Sequence, residues 1–481
     1  MRSNVFIFIL ALSLFLRIFL LDFESLWLDE GSSIKFAKLS IPELIKASQA
    51  DGNPPLYYLI LHFWIKIFGD SEFSFRFPSV IFGVLIVIAV YQFCLEFWSR
   101  EVAIFSSFMT GISVFQIFYS QEARMYALLC LLSLVSFFYF VKILKQGKFK
   151  HYVFYTFTNI LLLYTHLYAF FTIFAQLIFV AFQEGKKLKV FLLSLFISFL
   201  FFIPRFLIVL KQANEILISG EFWLPRPDFI DFLKTLIQFA GATYPMPRDE
   251  FGNVILGRFI IEYSNSAILL FIMLAMIVFS IFNFKEFSHE KRKIYLIFWL
   301  WFIIPILVPF ALSQFLTPFY FTRYAIASSI AFYCLASIGF ENYNGRFRKY
   351  IVYIFLLLSV VNLGWYYGKT NKEEWREAVK FVEERARGGD LIIANKYVFY
   401  YYSKKDDVVK IKLPDVSEQN KNVLIDELNS LSQKYKRIWF VSSHQPKLED
   451  IVVKVLSNSM SLAMKKKFLG IEIFLFEEIK R

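Results

Sequence analysis

Long apolar runs alternate with short polar breaks through the first three quarters of the chain. Each run is roughly 17–22 residues long, or a little shorter, and so reads as a bilayer-spanning helix. The runs fall at roughly 4–21, 78–97, 102–118, 126–142, 152–166, 167–183, 188–210, 265–283, 294–315, 322–340 and 350–368. The block 152–183 is continuous in hydrophobicity, and Thr165-His166-Leu167-Tyr168 is the polar notch that divides it. A helical hairpin turning at the outer surface is the expectation there. After about residue 368 the composition becomes that of a soluble domain. The pattern predicts a polytopic α-helical membrane domain over 1–368, with about eleven transmembrane helices, and a soluble domain over 369–481. The first run follows only Met1-Arg2, and bulky polar sequence (Asp22, Phe23, Glu24, Trp27) succeeds it in place of a small-residue cleavage site. It reads as an uncleaved first helix.

The basic residues test this count. Arg100, then Lys142, Lys145, Lys148 and Lys150, then Lys186, Lys187 and Lys189 lie in alternate connections. Lys285, Lys291, Arg292 and Lys293, and finally Arg346, Arg348 and Lys349, continue the series. With eleven spans all of them fall on one side, which the positive-inside rule makes the cytoplasm. Merging 152–183 into one span would put the later clusters outside. The N-terminus is therefore expected inside and the tail outside, together with the loop 22–77, the turn 119–126, the notch at His166, the loop 211–262 and the turn near 316–322.

The tail opens with an amphipathic helical pattern through Glu373, Glu374, Trp375, Ala378, Val379, Phe381 and Val382, closed by Gly388-Gly389. Strand-like runs follow at 391–394, 438–441 and 471–476, with helical sequence between the first two and the last two. That order predicts a small α/β domain. It has no phosphate-cradling glycine loop and no catalytic triad, so a lid or docking domain is expected.

Composition changes this picture little. The 481 residues are 57% hydrophobic, with a mean hydropathy of +0.53. A net charge of +13 would suit nucleic acid, but the positive charges are spread over short loops, so topology explains them and nucleic-acid binding is excluded. Cys94, Cys130 and Cys334 all lie in apolar runs, with neither disulfide nor metal spacing. Few ionisable residues stand mid-span: Arg17, Arg205 and Arg323 lie near outer ends, and Glu96 and Glu101 near the inner surface. No internal repeat is visible. Both points weigh against an ion-coupled transporter.

Polar chemistry is therefore sought in the outward loops. Asp29 and Glu30 follow an aromatic-apolar run. Adjacent carboxylates at an apolar boundary serve as a base, or they complement the start of a helix running on through Ile34 and Lys38; spacing alone leaves both open. Asn53-Pro54-Pro55 is a stiff extended segment that either fixes Asn53, Tyr57 and Tyr58 or simply enters the apolar segment from Leu56 to Phe68. Glu122 and Arg124 sit at the head of a span, as a functional acid and base or as a local ion pair. Arg323-Tyr324 opens another, where a guanidinium grips phosphate bidentately or snorkels. His166 is either a ligand or a satisfied helix-end residue. Arg226 and Arg248 are weaker phosphate candidates in a loop that also carries Trp223, Pro225, Pro227, Pro245 and Pro247.

Taken together, WLDEG at 27–31, DGNPPLYY at 51–58, FRFPSVIFG at 75–83, YSQEARMYAL at 119–128 and FTRYAI at 321–326 resemble the bacterial family-39 type glycosyltransferases of the GT-C class. That group includes protein mannosyltransferases and aminoarabinose transferases. The tail opening KEEWREAVKFV, followed by GGDLII, is similar to tails in this group. The resemblance implies a GT-C membrane domain with an amphipathic-helix first outer loop and an extracytoplasmic α/β tail. It implies an enzyme in the cell membrane that moves a sugar, with inversion, from a polyprenyl-phosphate donor to a lipid, glycan or protein acceptor. In that scheme Asp29 takes the acceptor proton and Glu30 is its acidic neighbour. Glu122 orients the acceptor or a metal, and Arg124 and Arg323, with Tyr324, bind the donor phosphate. Asn53, Tyr57, Tyr58 and His166 position substrate. A divalent metal stays open, with Glu30 or Glu122 and His166 as ligands. Gly52-Asn53 departs from members that carry a charged residue before the double proline. A lipid-linked substrate transporter or flippase, and a non-catalytic scaffold, are the alternatives.

Overall fold

The computed structural model describes residues 2–219, 224–242, 256–343, 345–414 and 421–479. Trp223, Pro245, Pro247 and Arg248, singled out above, lie outside the described residues. The chain divides into two compact units. One comprises Met1–Leu21 and Phe36–Lys369, the other Asp22–Lys35 and Thr370–Arg481. The segment 22–77 is thus shared between them.

The first unit is a helical bundle, and a helix occupies each of the eleven expected runs. Seven described helices are by themselves long and apolar enough to cross a membrane, eight if a bent pair is counted as one span. The notch at 164–168 divides two helices, Phe149–Leu163 and Ala169–Gln183, as its polarity predicts. The expected span 102–118 differs: it is the bent pair, Arg100–Ile112 and Val114–Ser120, with an angle of 59° at Ser113. Ser113 caps the second piece, its hydroxyl accepting the Gln116 N–H. A break inside an apolar bundle exposes carbonyls that no water can satisfy. Arg17, fully buried, supplies the donors: its Nη1 bonds the Gly111 carbonyl at 2.8 Å and its Nη2 the Thr110 carbonyl at 3.2 Å. This arginine therefore stabilises a broken helix. The segment 22–77 opens with three helices, Leu28–Ala37, Ile41–Ala50 and Leu56–Phe68.

The second unit has a five-stranded sheet: β1 (Leu391–Ala394), β2 (Val409–Ile411), β3 (Arg437–Ser442), β4 (Met460–Phe468) and β5 (Ile471–Glu478). The strand order is β2-β1-β3-β5-β4, parallel across β2, β1 and β3 and antiparallel beyond. Ile438 and Phe440 face one side with Leu391, Ile393, Phe474 and Phe476 and pack on the helices Lys421–Lys434 and Pro446–Ser459 through Leu424, Leu428, Val452 and Leu456. β1 is buried throughout, as a parallel strand covered on both faces should be. The sequence pattern missed β2, which is only three residues long. It also missed β4, whose exposed lysines guard an edge strand and hide its apolar signal. β4 and β5 join through Gly470, at φ +75°, a left-handed position that suits glycine.

Candidate active site

In the bundle, five of the sequence segments singled out above come together. The Leu56 N–H, at the head of the helix Leu56–Phe68, donates to the Tyr164 carbonyl at 3.1 Å, joining DGNPPLYY to the polar notch. Two residues on, Tyr58 is fully buried; its hydroxyl receives Arg124 Nη1 at 3.2 Å and donates to Asp51 Oδ2 at 3.5 Å. Tyr57 exchanges a hydrogen bond with Ser79 Oγ at 2.9 Å, and that hydroxyl in turn donates to the Arg124 carbonyl at 3.3 Å. Asn53 Nδ2 donates at 2.7 Å to Asp51 Oδ2, the same oxygen that Tyr58 reaches. The whole of YSQEARMYAL is buried; the Glu122 side chain is fully enclosed and its carbonyl accepts the Arg124 N–H at 2.8 Å.

The notch and the segment FTRYAI complete the cluster. The His166 ring lies 4.6 Å from the Tyr324 ring and 6.2 Å from that of Tyr126. Arg323 stacks its guanidinium over Phe321 at 4.6 Å and Tyr126 at 5.6 Å. The Tyr168 N–H donates to His166 Nδ1 at 3.1 Å, so that nitrogen carries no proton. His166 stands in the turn between its two flanking helices. Burial first, then the charges of Arg124 and Arg323, push its pKa down to about 3. The imidazole is neutral, and its surroundings are cationic.

Sequence reasoning placed Arg205 near an outer helix end and gave it no role. In the structure it is 3% exposed, and its Nε, Nη1 and Nη2 lack hydrogen-bond partners among the described residues. It lies within electrostatic range of Tyr58, Asp51 and Tyr164. Its place beside Pro204, within the helix Leu188–Ser219, was the only hint in the sequence. Arg226 is exposed.

In the second unit the acidic pair occupies the first turn of the helix Leu28–Ala37, the location the capping reading predicted. The two carboxylates differ. Glu30 is fully buried; its Oε1 receives Lys372 Nζ at 3.2 Å and its Oε2 the Trp27 N–H at 3.4 Å. Asp29 is half-buried. Residues 371–375 bind the segment 24–28 closely. Ser25 Oγ donates to the Glu373 carbonyl at 2.5 Å and accepts the Trp375 N–H at 3.0 Å, and Asn371 and Lys372 donate backbone N–H groups to Glu24. Gly31 of WLDEG is needed for packing, because a Cβ there would meet Val398 Cγ2 at 2.2 Å. Among the described residues no group of three or more His, Cys, Asp or Glu side chains gathers as metal ligands. Glu30 is already engaged by Lys372.

Comparison with known proteins agrees with this architecture. Residues 52–208 match the sequence profile of the dolichyl-phosphate-mannose-protein mannosyltransferase family. Among solved structures, the archaeal oligosaccharyltransferase AglB of Archaeoglobus fulgidus, in complex with an inhibitory peptide and a dolichol-phosphate, superposes with a TM-score of 0.56 at 13% identity, covering 98% of this chain and 74% of that one. An Archaeoglobus fulgidus oligosaccharyltransferase tethered with an acceptor peptide gives 0.56 at 14% identity, covering 100% of this chain and 74% of that one. ArnT of Cupriavidus metallidurans in the apo state gives 0.50 at 11% identity, covering 98% of each chain. A comparison with curated proteins gave no match. The chain has the fold of the GT-C membrane glycosyltransferases, and the matched stretch carries the mannosyltransferase family's sequence pattern.

Proposed function

We propose that the protein is a membrane glycosyltransferase that takes a sugar from a polyprenyl-phosphate donor and passes it to an acceptor outside the cytoplasm. The observation that carries this reading is the cationic cluster of the bundle, in which Arg124 and Arg205 are buried and Arg323 half-buried. Arg124 and Arg323 stand among Tyr58, Tyr126, Tyr324 and His166, and Arg205 brings a further guanidinium against Tyr58. Arg205, buried and without a hydrogen-bond partner among the described residues, is costly to hold, and a site that receives an anion offsets that cost. A phosphate anchored in the bilayer is such an anion. GT-C fold similarity and the mannosyltransferase pattern support the same class.

The reaction is the one that the family resemblance implies. An acceptor hydroxyl attacks the anomeric carbon while Asp29 takes its proton. The bond from that carbon to the phosphate oxygen breaks with inversion, and its electron pair leaves on the polyprenyl phosphate. Arg124, Arg205 and Arg323 stabilise the charge that builds there, a contribution of about 2.7–4 kcal/mol for one well-placed donor. Glu122 orients the acceptor. Glu30, paired with Lys372, holds the helix that presents Asp29. The positive-inside rule puts the N-terminus in the cytoplasm and the tail outside, in a cell membrane. The sequence and fold leave the sugar and the acceptor class open: lipid, glycan or protein.

The test is transfer in liposomes from a panel of radiolabelled polyprenyl-phosphate sugars, with a membrane extract as acceptor. Label in a new glycosidic product is the expected result. Label that crosses the bilayer still on its carrier would overturn the reading in favour of a transporter.

A further inference from the structure

The tail's sheet has a topological switch point between β1 and β3. The chain leaves β1 to form β2 on one side, then crosses to place β3 on the other. In open α/β sheets the crevice outside the carboxyl ends of two such strands is the usual ligand site. Here the protein's own first loop occupies it. Gly31 packs on Val398, just after β1, and the Leu26 N–H donates to Tyr402 Oη at 2.7 Å. Just after β3 stands His444, held at a positive φ of 55° that non-glycine residues rarely adopt.

One carboxylate links that histidine to the helix of Asp29. Glu373 is 7% exposed; its Oε1 meets His444 Nε2 at 2.5 Å, and its Oε2 accepts the Leu28 N–H at 3.1 Å and the Trp375 indole N–H at 2.5 Å. Leu28 opens the helix Leu28–Ala37, so Glu373 caps it from a distant part of the chain, and Asp29 is the next residue. Three charged groups face the imidazole: Glu373, Lys396 from the loop after β1, and Asp29.

Resting on the transferase reading above, we propose that His444 is a positioning residue for Asp29. Through Glu373 it fixes the helix start that presents the catalytic carboxylate, and its imidazolium adds a positive charge facing that carboxylate. The tail is thereby part of the catalytic apparatus and not a detachable lid. The Glu373 bond and charge, and then the Asp29 charge, raise the His444 pKa against burial and the Lys396 charge. The ring keeps its proton to higher pH than a free histidine.

The experiment uses the full chain in detergent. Diethyl pyrocarbonate modification of His444, read by peptide mass spectrometry across pH, reports when the ring loses its proton. The expected midpoint lies above that of a free histidine and moves down in Asp29→Asn and in Glu373→Gln. In parallel, His444→Gln, which keeps a hydrogen-bond donor but removes the charge, lowers kcat for sugar transfer about tenfold or more with KM little changed. Hydrogen exchange over residues 371–394 confirms that this variant stays folded. A His444 midpoint indifferent to Asp29→Asn, or a folded His444→Gln that transfers sugar like the wild type, would overturn the inference. A wild type that transfers no sugar while the midpoints behave as expected would instead overturn the transferase reading, and with it the catalytic consequence drawn here.

Discussion

Arg205 in the bundle and Glu30 in the tail unit are both buried charges, held in opposite ways. Glu30 is fully enclosed but answered by Lys372 at 3.2 Å and by a backbone N–H. Arg205 is enclosed and has no hydrogen-bond partner among the described residues. The first arrangement holds a shape, because each charge is the other's solvent. The second costs stability in the unliganded protein, and an arriving anion offsets that cost. In the proposed reading the tail unit holds carboxylates in place and the bundle receives a phosphate.

Removing charge should therefore act with opposite sign in the two units. Lys372→Met leaves Glu30 buried without its cation, and a loss of about 3–5 kcal/mol is expected. Hydrogen exchange of residues 371–394 in the full chain would read it. Arg205→Met should leave the melting temperature unchanged or raise it. It should also weaken polyprenyl phosphate binding, followed by thermal shift, by about 1.5–3 kcal/mol, the worth of one charge-assisted hydrogen bond. Were Arg205→Met to destabilise as Lys372→Met does, the contrast would fail. Gly31→Ala forces a methyl against Val398 and should cost the tail unit about 1–3 kcal/mol.

The smallest effect is the pH dependence of that unit's stability. The His444 pKa is raised on folding, so its pairing with Glu373 contributes in full below the pKa of an unfolded histidine, about 6.5. The contribution fades as pH rises through the folded value. The ring is more than half exposed, and screening keeps the effect modest. Hydrogen exchange of residues 371–394 should slow slightly at pH 6 relative to pH 9 after correction for the intrinsic rate, and the difference should vanish in His444→Gln.

The sequence made the bundle legible because bilayer physics imposes long apolar runs and puts lysines on one side. It also marked the segments that meet in the cluster, since polar residues at the ends of apolar helices have few structural excuses. Arg205 escaped because a lone arginine inside an apolar helix looks the same whether it snorkels or waits for an anion. The bend at Ser113 escaped because the apolar run continues across it. The link from His444 through Glu373 to Leu28 escaped because its partners lie 71 and 345 residues apart, and only the fold brings them together. Glu30 shows the reverse. Sequence paired it with Asp29 in chemistry, while the structure gives the two neighbours different surroundings: one buried against Lys372, the other half-buried at the helix start.

The most direct test compares sugar transfer by the wild type and by Asp29→Asn, with the donor panel and membrane acceptor above and with the fold of both proteins verified by hydrogen exchange. General-base loss predicts a fall of about 10²–10⁴-fold in the rate, with donor binding retained. Equal transfer by the two proteins would remove Asp29 from the chemistry and contradict the account at its centre.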